Sequence, residues 1–119
     1  MMRRLYAMLI TAAMCLPLAA HASDATEQEI QHLLEFVSSS GCTFTRNGSD
    51  HDPAGAADHL RLKYNNGKRY VNNTEQFIDR LATESSWTGK KYMVTCDGQT
   101  QPSGDWLHQA LNEYRQQQQ

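Results

Sequence analysis

Arg46, Asn47, His51, His59 and Lys63 fall within FTRNGSDHDPAGAADHLRLKY, residues Phe44 to Tyr64, where a short alternating pattern gives way to a helical one. A guanidinium, an ammonium and two imidazoles around one strand-to-helix connection are groups that hold a carboxylate or a phosphate. The Asn47-Gly48 pair lets backbone amides turn outward, and the start of the following helix adds the partial positive charge of its free amides. The plainer alternative pairs Arg46 with Asp50 or Asp58 and leaves the histidines solvated, as most charged residues of a small domain are.

Two other chemistries compete for the same residues. Asp50, His51, Asp52 and His59 offer carboxylate and imidazole ligands, but their spacing matches no metal motif and an aspartate here also serves as a helix cap, so we expect neither metal nor cofactor. Ser49, Ser85, Ser86 and Thr88 are hydroxyls that His51 or His59 could activate as general base, which would make a small hydrolase or transferase. No nucleophile-elbow glycines surround those serines. Trp87, on a turn beside Lys90-Lys91, is the candidate exposed anchor if the protein is instead a structural partner of another protein.

These side chains need elements to hold them. Thr26 with Glu29 forms a capping box, and Ile30, Leu33, Leu34 and Val37 recur at helical spacing until Gly41, predicting a helix over Thr26–Ser39. Cys42, Phe44 and Arg46 alternate with threonines as a short strand that Asn47-Gly48 breaks. Asp52 and Pro53 open a second helix with Ala56, Ala57, Leu60 and Tyr64 as its apolar stripe; His59 and Lys63 border that stripe. A third helix opens at Asn73 or Thr74 and buries Phe77, Ile78, Leu81 and Ala82. Tyr92, Val94 and Cys96 form a second strand closed by Asp97-Gly98, and after a polar loop a last helix carries Trp106, Leu107, Ala110, Leu111 and Tyr114. No internal repeat is evident.

If Cys42 lies beside Cys96 in antiparallel strands, Phe44 faces Val94 and Arg46 faces Tyr92, so the register keeps apolar residues on one face. The expectation is a small α+β domain over residues 23–115, with about four helices on a two-stranded antiparallel ribbon, the first, third and fourth covering it. Trp106 and Tyr114 belong to its core, and Gln116–Gln119 form a disordered tail.

The N-terminus supplies an address. Arg3 and Arg4, an apolar run from Leu5 to Leu18 and the exit Ala20-His21-Ala22 read as a secretory signal peptide over residues 1–22, too short to anchor as a span. Cys15 sits inside the apolar run after Met14 and does not read as a lipidation site. Removing that segment from the 119 residues takes away two of the 11 basic residues and none of the 13 acidic ones, leaving a formal charge of −4 and no membrane span. A mildly acidic chain without a basic run argues against nucleic acid as partner. Cys42 and Cys96 then remain as a pair, read as a disulfide in an exported protein.

Phe44, Arg46-Asn47-Gly48, His51, His59-Leu60-Arg61, Lys63, Thr74-Glu75-Gln76-Phe77-Ile78-Asp79 and Ser85-x-x-Thr88-Gly89-x-x-Tyr92 resemble the pattern of the YfeK-like family of short exported bacterial proteins. The resemblance spans about Ile30 to Val94 and implies a periplasmic location and one compact domain, without implying a reaction. The cysteines lie outside the pattern, which implies that their bridge is a stabiliser. Because the shared positions are polar and cluster near the strand ends, the resemblance favours one pocket combining Arg46, Asn47, His51, His59, Lys63, Thr88 and Tyr92. The leading expectation is a monomeric binding module of the Gram-negative envelope that recognises an anionic or amide-rich ligand, such as a wall fragment or a partner's loop.

Overall fold

Helix α1 (Asp24–Ser39) buries Ile30, Leu33, Leu34 and Val37 at the spacing its sequence dictates, and these four side chains form the floor of the core. The computed structural model describes Thr11 and residues 23–119; apart from Thr11, the expected signal peptide, with Cys15, lies outside the described residues. The helix starts earlier than expected, because Ser23, not Thr26, is its cap: the Ser23 hydroxyl accepts from the Thr26 backbone N–H at 3.2 Å. Thr26 is buried in the first turn, and Glu29 leaves the cap region to bond Thr74 and Arg115.

Four strands form the sheet, where the sequence pattern had suggested two. β1 (Thr43–Arg46) folds back through Asn47-Gly48 into β2 (Ser49–His51), and β3 (Met93–Cys96) folds back through Asp97-Gly98 into β4 (Gln99–Pro102). Both turn pairs have positive φ, 51° and 79° for Asn47 and Gly48 and 50° and 78° for Asp97 and Gly98, so each is a two-residue hairpin turn and not a strand stop. The order is β2-β1-β3-β4, antiparallel throughout. Phe44 stands opposite Val94, as the cysteine-based register requires, and Cys42 and Cys96 form a disulfide with Cα atoms 4.7 Å apart. In the chain-entropy view, closing a loop of 54 residues contributes about 4 kcal/mol.

Helix α2 (Pro53–Gly67), capped by Asp52, buries Ala56, Ala57, Leu60 and Tyr64 and leads through a 3-10 turn (Lys68–Tyr70) to α3 (Thr74–Leu81). The last helix, α4 (Ser103–Gln117), takes in the expected loop at Ser103-Gly104 and continues two residues into the glutamine run. α2 lies against β1 and α4 against β3 and β4, so the second and fourth helices flank the sheet, whereas the sequence pattern had assigned its cover to the first, third and fourth. α1 and α3 complete the helical layer, with Phe77 and Ile78 fully buried. Trp106 is half-buried between Phe36 and Phe44, and Tyr114 stacks on His32 at 4.0 Å.

The element order repeats: helix, hairpin, helix occurs twice, and the hairpins meet through β1 and β3 with Phe44 and Val94 at the centre. A repeat therefore exists that the sequence hides, because Thr45 and Thr95, Gly48 and Gly98, and Tyr64 and Tyr114 are nearly all that the two halves share. The two hairpin-to-helix corners differ at the cap. Asp52 caps α2 with its carboxylate, while Pro102 stands before α4 and supplies no side-chain cap.

Candidate functional site

Alternation along β1 sets Arg46 on the same face as buried Phe44, at the strand end where the core opens. Extending the Phe44–Val94 register by two residues places Arg46 opposite Tyr92, the buried residue that precedes β3. On α2, His59 and Lys63 are one turn apart beside buried Leu60 and Tyr64, which aims both toward the same ring. His59 Nε2 lies 3.4 Å from the Tyr92 hydroxyl, and the Lys63 ammonium donates to that hydroxyl at 3.0 Å and to the Glu84 carbonyl at 3.2 Å. The ammonium also sits 5.0 Å from the Tyr92 ring centroid.

Two adjoining depressions share Arg46, His59 and Tyr92 as a common wall. One is a narrow, largely apolar crevice bounded by Phe44, Ala56, Leu60 and Leu107, with His51 and Ser103 also on its walls. The other is wider and shallower, and adds Asn47, Lys63, Asn66, Ser86 and Trp87. Among the described residues no carboxylate lines either of them. Trp87 is 97% exposed at the rim.

The electrostatics follow from that composition. Asp58 pairs with Arg61 and Asp50 accepts from the Thr45 hydroxyl, so the partners expected to neutralise Arg46 are engaged elsewhere, and among the described residues Arg46 has no salt bridge. Burial, then the positive charges of Arg46, Lys63 and His51, push the His59 imidazole down to about 4, leaving it neutral at neutral pH.

Not every expected site residue faces open space. The Thr88 hydroxyl donates to Asn47 Oδ1 at 2.6 Å while Asn47 Nδ2 donates to Ser85 Oγ at 3.3 Å, so the first hairpin turn is latched to the Ser85–Gly89 loop. Ser85 Oγ also accepts from the Trp87 and Thr88 backbone amides. Thr88 lines neither depression, and no hydroxyl of Ser49, Ser85, Ser86 or Thr88 is hydrogen-bonded to His51 or His59 among the described residues. The anion position expected at the start of α2 is filled from within, since Asp52 Oδ1 accepts from the Gly55 amide at 2.7 Å. Asp50 and Asp52 are thus held by Thr45 and by the helix start, and among the described residues no three histidine, cysteine, aspartate or glutamate side chains gather as one ligand set.

Ser103 is the residue that the sequence pattern did not single out. It opens α4, its backbone N–H donates to the Tyr92 carbonyl at 2.9 Å, and it is 4% exposed, yet among the described residues its hydroxyl has no hydrogen-bond partner. A serine following a proline at a helix start was the available signal; the missing partner is a matter of packing and could not be read.

The comparisons with known proteins agree with the resemblance drawn from the polar motifs. Residues 24–115 match the family model described as a family of unknown function, DUF5329. The chain is 35% identical over 92 residues to a Salmonella typhimurium protein named uncharacterized protein YfeK, across 76% of this chain and 77% of that one. No solved structure matches it.

Proposed function

We propose that this chain, which belongs to the DUF5329 family, is a small binding protein of the bacterial envelope that captures an anionic ligand on the wall formed by Arg46, His59, Lys63 and Tyr92. The observation that carries this reading is that, in a chain with more acidic than basic residues, the described residues place no carboxylate on two adjoining depressions and no ion-pair partner on the Arg46 guanidinium that lines both, beside the Lys63 ammonium. Such a field attracts anions and is not neutralised from within. His51 adds an imidazole to the crevice wall, and Asn47 and Thr88 hold the hairpin turn next to Arg46.

The envelope location rests on the basic and apolar N-terminal run together with the Cys42–Cys96 bridge, which suits an oxidising compartment. Among the described residues no helix is long and apolar enough to cross a membrane. Fractionation with N-terminal sequencing of the product checks the location: Ser23 as first residue of a periplasmic species is expected.

Binding is tested by titrating the protein with inorganic phosphate and lactate at low salt while following the His59 ring by NMR. Saturable shifts that weaken with added salt, and weaken about tenfold or more in Arg46→Ala, are expected. Equal affinity in the wild type and Arg46→Ala would refute the assignment of this wall.

A further inference from the structure

We infer that the end of the domain built from residues 61–91 docks on an anionic phospholipid surface. Beyond residue 22 the chain holds nine basic and 13 acidic residues; residues 61–91 hold seven of the basic and three of the acidic, so this stretch carries +4 and the remainder −8. An acidic whole thus conceals a basic pole, which orients the molecule in the field of a charged surface. Two of the three acidic side chains are already engaged, Glu75 with Arg115 and Asp79 with His108. Lys68, Arg69, Arg80, Lys90 and Lys91 are all exposed, and among the described residues none of the five is in an ion pair. The stretch is also one place in the fold. Arg80 donates to the Tyr70 carbonyl at 2.6 Å, Lys63 donates to the Glu84 carbonyl at 3.2 Å, and Gly67 packs against the Leu81 side chain, so the last turns of α2 and α3 meet the loop that leads to Lys91.

The exposed large apolar side chains of the described residues, Leu62, Tyr70 and Trp87, all fall in the same stretch. Each has a cation close by in the chain: Arg61 and Lys63 flank Leu62, Arg69 precedes Tyr70 with its guanidinium 4.9 Å from the ring centroid, and Lys90 follows Trp87 by three residues. A protein partner would bury a charge-poor apolar centre. The boundary between water and lipid instead takes tryptophan and tyrosine beside lysine and arginine, with rings at headgroup level and cations on the phosphates. Trp87 suits that depth best, because it is 97% exposed while its loop is held from behind by Ser85 Oγ, which accepts from the Trp87 and Thr88 backbone amides. None of the five exposed cations lines either depression, so the lipid surface is a separate partner from the anion held at Arg46.

The test is flotation of the exported product with vesicles of phosphatidylcholine carrying about 30% phosphatidylglycerol, and with vesicles of phosphatidylcholine alone. Binding to the first and not to the second is expected, weakening about tenfold or more as salt rises from about 0.05 to about 0.5 M. Lys90→Gln with Lys91→Gln should weaken it about tenfold or more, and Lys90→Arg with Lys91→Arg, which keeps both charges, should bind as the wild type does. Phosphate binding at the Arg46 wall should stay within about twofold in both variants, since a Debye length screens lysines that do not line it. Trp87 and Trp106 are the two tryptophans, so a blue shift of emission on adding the anionic vesicles, absent in Trp87→Phe, assigns the insertion to Trp87. Absence of binding to the anionic vesicles, binding that ignores lipid charge, or binding unchanged by Lys90→Gln with Lys91→Gln overturns the inference while the anion reading stands. The last result is also what a retained leader run would give. Binding to soluble polyglutamate but to neither vesicle overturns it in favour of an acidic protein partner.

Discussion

Arg46 and Arg115 are both half-buried guanidiniums on one small domain, and the fold treats them in opposite ways. Arg115 is saturated: its Nε and one terminal nitrogen grip Glu29 at 2.7 and 3.0 Å, the other terminal nitrogen reaches Glu75, and Thr74 completes Glu29 at 2.6 Å. Those contacts tie α1, α3 and α4 together, hold the Glu29 and Glu75 carboxyls below their usual range, and raise the guanidinium above its own. Among the described residues Arg46 has no ion pair, and its positive charge falls on the same His59 imidazole as that of Lys63. A fold that can surround one arginine with two carboxylates and leaves another with none separates stabilisation from recognition, because charge neutralised internally has nothing left for a ligand.

The largest expected effect breaks the closed side. Arg115→Ala leaves Glu29, whose side chain is only 15% exposed, facing Glu75 without a counter-charge. Because Arg115 itself is 40% exposed, the loss falls between the surface and buried limits, about 2 kcal/mol by urea unfolding at neutral pH, with anion affinity unchanged. The network's contribution is present above the unfolded carboxyl value of 4.5 and lost as pH falls through the lower folded values, so the wild-type advantage over Arg115→Ala should vanish in that acid range. A neutral-pH difference within 0.3 kcal/mol, about the additivity error, would show that the network is an ornament of the surface.

Arg46→Ala should do the reverse. Having no internal partner to abandon, it should change stability by no more than about 0.5 kcal/mol while costing about tenfold in phosphate or lactate affinity, equivalent to about 1.4 kcal/mol. A destabilisation as large as that of Arg115→Ala would erase the contrast. Thr88→Val sharpens it differently: removing the bond to Asn47 should cost about 1 kcal/mol of stability, and any affinity loss should be smaller than that of Arg46→Ala. Thermal unfolding and calorimetric titration on the same samples separate the two.

How much of this the sequence displayed depends on where apolar residues sit. The helices and the β1–β3 register were legible because Ile30, Leu33, Leu34 and Val37, and Phe44 opposite Val94, are buried and leave a period. β2 and β4 were not, because SDH and QTQP are edge strands whose polar residues carry no alternation; only the turn pairs Asn47-Gly48 and Asp97-Gly98 announced them, and both read equally well as strand stops. The gathering of Arg46, His59, Lys63 and Tyr92 follows from strand parity and helical spacing, both sequence properties, whereas His51 arrives on the unread strand β2. The absence of carboxylates around them, the occupation of the α2 start by Asp52 and the stranded Ser103 hydroxyl are properties of packing, which no local pattern records.

The smallest expected effect tests the sign of the field on the open side. The His59 value of about 4 lies below its ordinary 6.5, so as pH falls the unfolded chain takes up the proton first. Folding stability therefore declines between pH 6.5 and about pH 4, above the range where the Glu29 and Glu75 contribution is lost; partial solvent exposure limits the His59 share to about 1 kcal/mol. His59→Gln should flatten that limb and leave the acid limb of Arg115 intact. Burial depresses His59 first and the neighbouring positive charges second; an anion beside Arg46 offsets that second part, so binding should raise the value, take up a fraction of a proton, and tighten as pH is lowered from 7 toward 5. An NMR titration in which the His59 value does not rise when phosphate or lactate is added would mean that no anion settles beside Arg46, and the proposed wall would lose its ligand.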